Sequence, residues 1–201
     1  SQLCIKLMED HVDAVRNTAA ECFCLGGSRL ARHGEDDGVQ WISAIVIPQL
    51  RKCSKSAKYK QRMLCLKMIE VVLANSMCPP AKHKVRTMVV DANGKEAAVP
   101  PLVVILDIAA NLAEDRVVNV RLSVGRVFAA IAHLPVIEDD ELKVIIQVVE
   151  KQLQVEASKD NGGDRDVIYF AKQAATLARS RSMDASFHDD TSISIVTTST
   201  N

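Results

Sequence analysis

Aromatic side chains are scarce in this chain, which narrows the fold classes that fit it. Phenylalanine, tyrosine and tryptophan make up 3% of the 201 residues, whereas hydrophobic residues as a whole make up 48%. The core must therefore be aliphatic, which suits closely packed helices better than a β-sandwich with large aromatic anchors. An excess of one charge is also lacking, because 25 lysines and arginines balance 25 aspartates and glutamates. This balance gives no electrostatic reason to expect nucleic acid or an anionic membrane as a partner.

Long apolar runs and metal-binding cysteine patterns are lacking too. No apolar run reaches the roughly 18 residues that a membrane-spanning helix needs, and no secretory signal opens the sequence. We therefore expect a soluble protein of the cytoplasm, with the nucleus as a further compartment. The cysteines form no C-x-x-C pair, and Cys22 and Cys24 would point in different directions on a helix. We interpret the cysteines as reduced apolar fillers and predict neither a metal site nor a cofactor.

Recognisable catalytic patterns are the third absence. The histidines are scattered, and none pairs with a cysteine or serine nucleophile in a familiar arrangement. The glycine pairs Gly26-Gly27 and Gly162-Gly163 lack the lysine and the strand that a phosphate-binding loop requires. We therefore predict that the chain is not an enzyme. A hidden hydrolase would need a convergent pocket that the sequence does not indicate.

An internal repeat is what the chain does contain. The segment LMEDHVDAVRNTAAECF, from Leu7 to Phe23, shares seven residues with LAEDRVVNVRLSVGRVF, from Leu112 to Phe128, at a constant offset of 105 positions. In both copies, apolar residues then recur at i, i+4, i+7 and i+8, as on one face of an amphipathic helix. In the first copy these residues are Val15, Ala19, Cys22 and Phe23.

Two weaker copies extend the repeat. Arg62, in KYKQRMLCLKMIEVVL, follows Arg16 by 46 residues, and Ile168, in DRDVIYFAKQAATLA, follows Arg121 by 47. Another amphipathic stretch precedes each of the last three copies, so the unit is helix, short turn, helix. Such units bury their apolar faces only against one another. We predict an all-α fold, an α-solenoid of about four antiparallel helix pairs, in which the first unit keeps only a stub of its first helix at residues 1–8.

The predicted helices follow from these patterns. The pairs are expected near 39–54 with 57–75, 99–113 with 117–133, and 139–156 with 164–181, after a lone long helix near 12–31. Pro48 should bend its helix because it removes a backbone donor. The first unit has a neighbour on one side only, so its apolar stripe should be partly uncovered. Self-association of the chain is the expected consequence.

Two segments fall outside the repeat array, which we assign to residues 1–181. Residues 76–99 form an insertion bounded by proline pairs, in which we predict one short helix around 82–90. A partner-binding loop is the alternative interpretation of this insertion. Residues 182–201 are dense in serine and threonine and lack helical periodicity, so we predict a disordered tail.

The period and the turn residues resemble the HEAT repeat. Its marks are an aspartate in the turn and, five and six residues later, a valine and an arginine that open the second helix. The matching residues are Asp10, Val15 and Arg16 in the first unit, Arg62 alone in the second, Asp115, Val120 and Arg121 in the third, and Val167 alone in the fourth. In the family, these aspartates and arginines can form a ladder between units. Because Ser56 and Gly162 occupy aspartate positions here, we expect the ladder to be interrupted in alternate units and aliphatic packing to stabilise the array.

The resemblance extends to one group of HEAT proteins, the scaffold subunits of protein phosphatase 2A. Their final repeats are similar to the stretches VQWISAIVIPQLRKCSKSAKYKQRMLCLKMIEVVL, EDRVVNVRLSVGRVF and DRDVIYFAKQAATLA of this chain. The related regulatory scaffold of protein phosphatase 4 is a second candidate. The resemblance implies the C-terminal part of a longer array. It also implies a non-catalytic scaffold whose partners are a phosphatase catalytic subunit and a regulatory subunit.

Two contact residues are carried over from the same resemblance. In the family, the turns inside the last repeats hold the catalytic subunit, and Tyr59 and Val117 occupy positions where those turns present a tyrosine and a valine. Packing at the start of a helix is the alternative for Val117. The alternative function is a HEAT-type cargo or peptide adaptor with no phosphatase partner. Such an adaptor would need acidic or aromatic ladders on its concave helix faces, which the second helices do not supply.

Overall fold

The computed structural model describes residues 2–26, 35–75, 86–90, 96–160 and 162–189. Within these ranges the regular secondary structure is helical apart from one two-stranded hairpin. The helices are α1 (Gln2–Leu7), α2 (Asp13–Cys24), α3 (Glu35–Trp41), α4 (Ile47–Ser54), α5 (Tyr59–Asn75), α6 (Pro101–Asn111), α7 (Val118–Ile131), α8 (Asp139–Ala157) and α9 (Arg165–Asp189). A π-helical stretch, Ile42–Val46, joins α3 to α4, a 3-10 turn, Leu112–Glu114, follows α6, and strands β1 (Thr87–Val90) and β2 (Glu96–Val99) pair antiparallel.

The helices pack as repeated pairs in two layers. Successive helices contact each other across short turns, as α4 does with α5 and α8 with α9. The second helices of the units, α2, α5, α7 and α9, pack one on the next in chain order, and the first helices α4, α6 and α8 do the same. The predicted all-α fold of repeated helix pairs is therefore confirmed.

The core is aliphatic and follows the repeated stripes of the sequence. Phe23 and Phe128, which close the two matching segments, are both buried. The buried stripe positions of the later units are Cys65, Met68, Ile69 and Val72 in α5, Val120, Val124 and Val127 in α7, and Val167, Ala171, Ala174 and Ala175 in α9. Each stripe lies against a neighbouring helix, so burial of these side chains, rather than helix propensity, stabilises the stack.

The apolar stripe of α2 is partly uncovered, as predicted. Ala19 and Phe23 are buried, while Val15 is half-buried and Cys22 is exposed. Phe23 packs near Trp41 at the end of α3, whose ring centroid lies 6.1 Å from that of Phe23. Self-association stays a prediction.

The short helix predicted around residues 82–90 is wrong for residues 87–90, which form β1. The sequence Thr-Met-Val-Val has two β-branched valines and a threonine, which favour a strand once a partner is available. That partner is β2, with Thr87 opposite Val99 and Val90 opposite Glu96. The hydroxyl of Thr87 also lies 2.9 Å from that of Ser43, so the hairpin is held against the π-helical stretch. Residues 76–85 and 91–95 lie outside the described residues, so the first part of the predicted short helix, 82–85, is among them.

The disordered tail predicted from residue 182 is wrong for residues 182–189, which continue α9. A packed helix begun upstream overrides a serine-rich composition. Arg181 contributes to this docking, because its guanidinium donates to the carbonyl oxygens of Ala132, at 2.7 Å, and Leu134, at 2.6 Å. Residues 190–201 lie outside the described residues, as does the part of the predicted 12–31 helix beyond residue 26.

Pro48 is the second residue of α4, and α4 begins directly after the π-helical stretch. A proline inside a helix removes one backbone donor and crowds the carbonyl of the residue four positions earlier. That residue is Ala44, which lies in the π-helical stretch. We attribute the wider turn to this conflict, because a π-helical turn moves the carbonyl away from the proline ring.

Gly125→Ala is expected to lower the free energy of unfolding by about 1 kcal/mol. Gly125 lies on α7 where α9 crosses, and a Cβ there would lie 3.0 Å from the backbone nitrogen of Ala171. Alanine gains about 1 kcal/mol in helix propensity, but crowding a packed backbone costs about 1 to 3 kcal/mol. Urea denaturation measures the difference, with the exposed α7 residue Asn119 changed to alanine as the control. A more stable Gly125→Ala variant would show that α9 can move away freely.

Candidate partner-binding ridge

The turns that precede the second helices share one construction. In each of the first three units, an arginine on the second helix donates Nη1 to the carbonyl oxygen of the residue six positions earlier. These bonds are Arg16 to Asp10 at 2.5 Å, Arg62 to Ser56 at 2.7 Å, and Arg121 to Asp115 at 2.8 Å. This repeated arginine therefore fixes the shape of its own turn.

The side chain at the aspartate position fixes the same turn from the other side. Its oxygen accepts the backbone N–H two residues later, which satisfies a donor at the helix start. The bonds are Asp10 with Val12 at 2.8 Å, Ser56 with Lys58 at 3.2 Å, and Asp115 with Val117 at 2.8 Å. The hydroxyl of Ser56 thus replaces an aspartate. In the fourth unit, Gly162 occupies the aspartate position and has no side chain to accept a bond. Asp164 takes this role, because its carboxylate accepts the N–H groups of Asp166 and Val167.

Arg62 also joins the second turn to the third. Its Nε and Nη2 donate to Asp115 at 2.5 and 2.9 Å, while its Nη1 donates to Ser56 and Ala57. Both side chains of this bidentate pair are 8% exposed. Burial raises the pKa of Asp115, but the hydrogen bonds from Arg62 and from the Val117 N–H outweigh burial and hold the pKa below its usual value. One buried guanidinium therefore fixes two adjacent turns relative to each other.

The ladder is interrupted at Arg16, as expected, but it continues at Arg121, where an interruption was predicted. Arg16 pairs with Asp13 of its own helix. Arg121 donates Nε at 2.8 Å to Glu156, a fully buried residue at the end of α8. Gly162 occupies the aspartate position of the fourth unit and has no carboxylate to pair with Arg121. The carboxylate of Glu156, from the first helix of the fourth unit, pairs with Arg121 instead.

Tyr59 is presented between two grooves of this surface. It begins α5, and 39% of it is exposed. A groove of about 420 Å³ lies among α2, α5 and α7, and a second of about 470 Å³ lies between the first and second turns; Tyr59 lines both. A tyrosine with an apolar ring and a polar tip, half-exposed at a groove, has the properties of an interface anchor.

Val117 lies in the adjacent turn but is less available. It is half-buried, packs against the core and lines neither of the two grooves that Tyr59 lines. Its backbone supports the turn, since its carbonyl accepts the N–H of Arg121. The neighbouring Val118 is 37% exposed. The structure thus brings the two predicted turns together through Arg62, while Tyr59 is the side chain that protrudes.

Three further residues that support the turns were not identified from the sequence. Gln61, at a valine position, donates to the carbonyl oxygen of Met8 at 2.7 Å and joins the first unit to the second. Gln152 donates to the carbonyl oxygen of Arg121 at 2.9 Å, and Glu156 accepts a hydrogen bond from the side chain of Arg121. Gln61 occupies the valine position of the repeat but is not the residue type that the repeat uses there, while Gln152 and Glu156 lie outside the repeated positions, so spacing gives no indication of these contacts. We call the surface formed by residues 9–13, 55–60 and 114–118 the ridge.

Within the described ranges, no cluster of three or more His, Cys, Asp or Glu side chains is arranged to hold a metal ion. No helix in the same ranges combines the length and the apolar character needed to cross a membrane.

Burial raises the pKa of Cys24 to about 12, and the pKa values of Cys53 and Cys65 are raised for the same main reason. These three thiols are therefore protonated at neutral pH and act as apolar fillers.

Comparisons with known proteins identify no family. No protein-family model and no curated protein matches the chain. Among solved structures, an engineered protein from the Northeast Structural Genomics Consortium is similar to it, with a TM-score of 0.49 and 17% sequence identity. The match covers 89% of this chain but 62% of the engineered one, so this chain spans less than two thirds of that protein.

Proposed function

We propose that the chain is a non-catalytic HEAT-type scaffold that docks the catalytic subunit of a serine/threonine protein phosphatase along the ridge. The observation that supports this proposal is the double role of Arg62. It holds the carbonyls of the Tyr59 turn and the carboxylate that supports the Val117 turn. A rigid, preorganised surface loses little conformational freedom on binding, and this is what a scaffold needs.

The phosphatase partner comes from the resemblance of the turns and second helices to phosphatase scaffolds, and the ridge geometry suits such a partner. Tyr59 would be the central contact and Val118 a neighbouring apolar contact, because both are exposed. Val117 would act mainly through its turn. A peptide adaptor that used the groove among α2, α5 and α7 is less favoured, because the lysines that line the groove already face acidic side chains. Lys60 lies 3.8 Å from Asp13, and Lys67 lies 3.9 Å from Glu21.

Tyr59→Ala is expected to weaken capture of a purified 2A-type phosphatase catalytic subunit by about 2 kcal/mol, which is roughly thirtyfold in Kd. Truncation removes a ring that is 39% exposed and is not a member of the buried core, so thermal stability should change by less than about 0.5 kcal/mol. Biolayer interferometry with the catalytic subunit and a thermal melt of the chain alone measure the two quantities.

Tyr169→Ala is the matched control, because Tyr169 is the other tyrosine and is exposed on α9. It should leave capture within about threefold of the parent, an effect of less than about 1 kcal/mol. Equal loss in both variants would show a general requirement for surface aromatics. Loss of stability with capture intact for Tyr59→Ala would remove Tyr59 from the interface.

A further inference from the structure

The carboxylates of the ridge are engaged within the chain. Each of those in the first three turns has a cation or a backbone N–H as partner. The contacts are Glu9 with Lys52 at 3.3 Å, Asp10 with the Val12 N–H at 2.8 Å, Asp13 with Arg16, Glu114 with Lys151, and Asp115 with Arg62. Negative charge on this surface is therefore largely compensated.

The cations of the second and third turns are not compensated in the same way. Lys55, Lys58 and Arg116 are exposed, and none of them has an ion pair with another described residue. Lys58 lines the groove beside Tyr59, and Arg116 is close enough to Asp115 to lower its pKa. Lys55 and Lys58 share the second turn with Tyr59, and Arg62 joins this turn to Asp115, the chain neighbour of Arg116. A chain with zero net charge thus presents a local positive surface around its exposed tyrosine.

We propose that this surface, formed by Lys55, Lys58, Tyr59 and Arg116, docks an acidic segment of the partner protein. The inference rests on the proposed scaffold function and specifies the chemistry of the partner. Uncompensated cations steer an oppositely charged surface towards the ridge and raise its association rate, while the tyrosine ring supplies the apolar contact. Binding of nucleic acid is less suitable, because it commonly uses about 6 to 10 phosphate contacts, and carboxylates lie between these few cations.

The double charge reversal Lys58→Glu with Arg116→Glu tests the proposal. Its matched control is Lys6→Glu with Lys172→Glu, which makes the same change of charge at exposed positions on α1 and α9. The probes are a fluorescein-labelled octaglutamate peptide and a purified 2A-type phosphatase catalytic subunit. The ridge variant should lower the association rate of the catalytic subunit by about tenfold or more at low salt. The difference should shrink as salt rises from about 0.05 to about 0.5 M, because screening increases. Octaglutamate should bind the parent and the control but not the ridge variant.

The outcomes separate the inference from the scaffold function. If the catalytic subunit binds parent and ridge variant at equal, salt-independent rates, the acidic-partner inference is overturned and the scaffold function stands. If the catalytic subunit does not bind the parent but octaglutamate does, the phosphatase assignment fails and the acidic preference stands. Tighter binding of a single-stranded RNA or of phosphatidylserine vesicles than of octaglutamate, lost in the ridge variant, would overturn the inference in favour of a general polyanion surface.

Discussion

Asp115→Ala is expected to lower the free energy of unfolding by about 3 to 5 kcal/mol, the usual cost of leaving one member of a buried ion pair without its partner. Asp115 accepts two bonds from the buried Arg62 guanidinium and caps the Val117 N–H. Without the carboxylate, Arg62 keeps only carbonyl acceptors in the second turn. Chemical denaturation followed by circular dichroism measures the loss.

A double-mutant cycle shows whether this loss belongs to the pair. Arg62→Ala alone should also be strongly destabilising, whereas the double variant should cost much less than the sum of the two, because no charge is left buried and unpaired. Glu150→Ala is the control, since Glu150 pairs with Arg179 on the surface of α8 and α9. Exposed pairs contribute less than about 1 kcal/mol. A cost for Asp115→Ala no larger than that for Glu150→Ala would mean that the two turns are held together by packing alone.

The same cycle has a consequence for function. If Arg62 fixes the two turns relative to each other, Arg62→Ala should weaken capture of the catalytic subunit even under conditions where the variant is folded. Conformational freedom regained by the free turns must be lost again on binding. Tyr59→Ala would act by a different route, since it removes a contact and leaves both turns in place.

The helix pairs could be predicted because the residues that form them recur at regular intervals in the sequence. The offset of 105 positions between Leu7 and Leu112, and the spacing of the apolar stripes, identify the second helices without any tertiary information. The observed α5, α7, α8 and α9 begin within two residues of the predicted starts. A period of about 3.6 within the helix and a period near 46 between units are both properties of the chain alone.

The errors have a common physical origin in tertiary contacts. Residues 87–90 form a strand because residues 96–99 pair with it, and the described end of α9 remains helical because the helix is already docked. In each case the segment has no strong preference of its own, so the neighbour decides.

The ridge could be predicted only in part for the same reason. The turn arginines follow from position in the unit, while Tyr59 is carried over from the resemblance to phosphatase scaffolds. Val117 occupies the same kind of position, but its side chain packs against the core, which a pattern cannot distinguish from exposure. Glu156 lies 35 residues after its partner Arg121 and outside the repeated positions, so sequence spacing gives no indication of it.

Glu156→Gln is expected to lower the free energy of unfolding by about 3 kcal/mol near neutral pH, because it removes the charge that compensates a buried arginine. Glu156 receives Arg121 Nε at 2.8 Å, Lys159 Nζ at 2.6 Å and the Asp164 N–H at 2.9 Å. The close approach of the next turn depends on Gly163, which has φ +75° and where a Cβ would lie 2.5 Å from the Glu156 carbonyl oxygen. Glutamine keeps the shape and one acceptor, so the variant isolates the contribution of charge.

The pH dependence of this loss distinguishes charge from shape. Burial raises the pKa of Glu156, but the bonds from Lys159, Asp164 and Arg121 outweigh burial, so the pKa in the folded state lies below the ordinary value of 4.5. A carboxylate with a lowered pKa stabilises the fold above its unfolded pKa, and this stabilisation is lost as pH falls through the folded pKa. The gap between parent and Glu156→Gln should therefore be constant above about pH 6 and should narrow below about pH 4.5. The exposed Glu150→Gln variant should show a small gap throughout. A gap for Glu156→Gln that stays constant down to low pH would mean that packing at the junction of the third and fourth units, and not the ion pair, accounts for the loss.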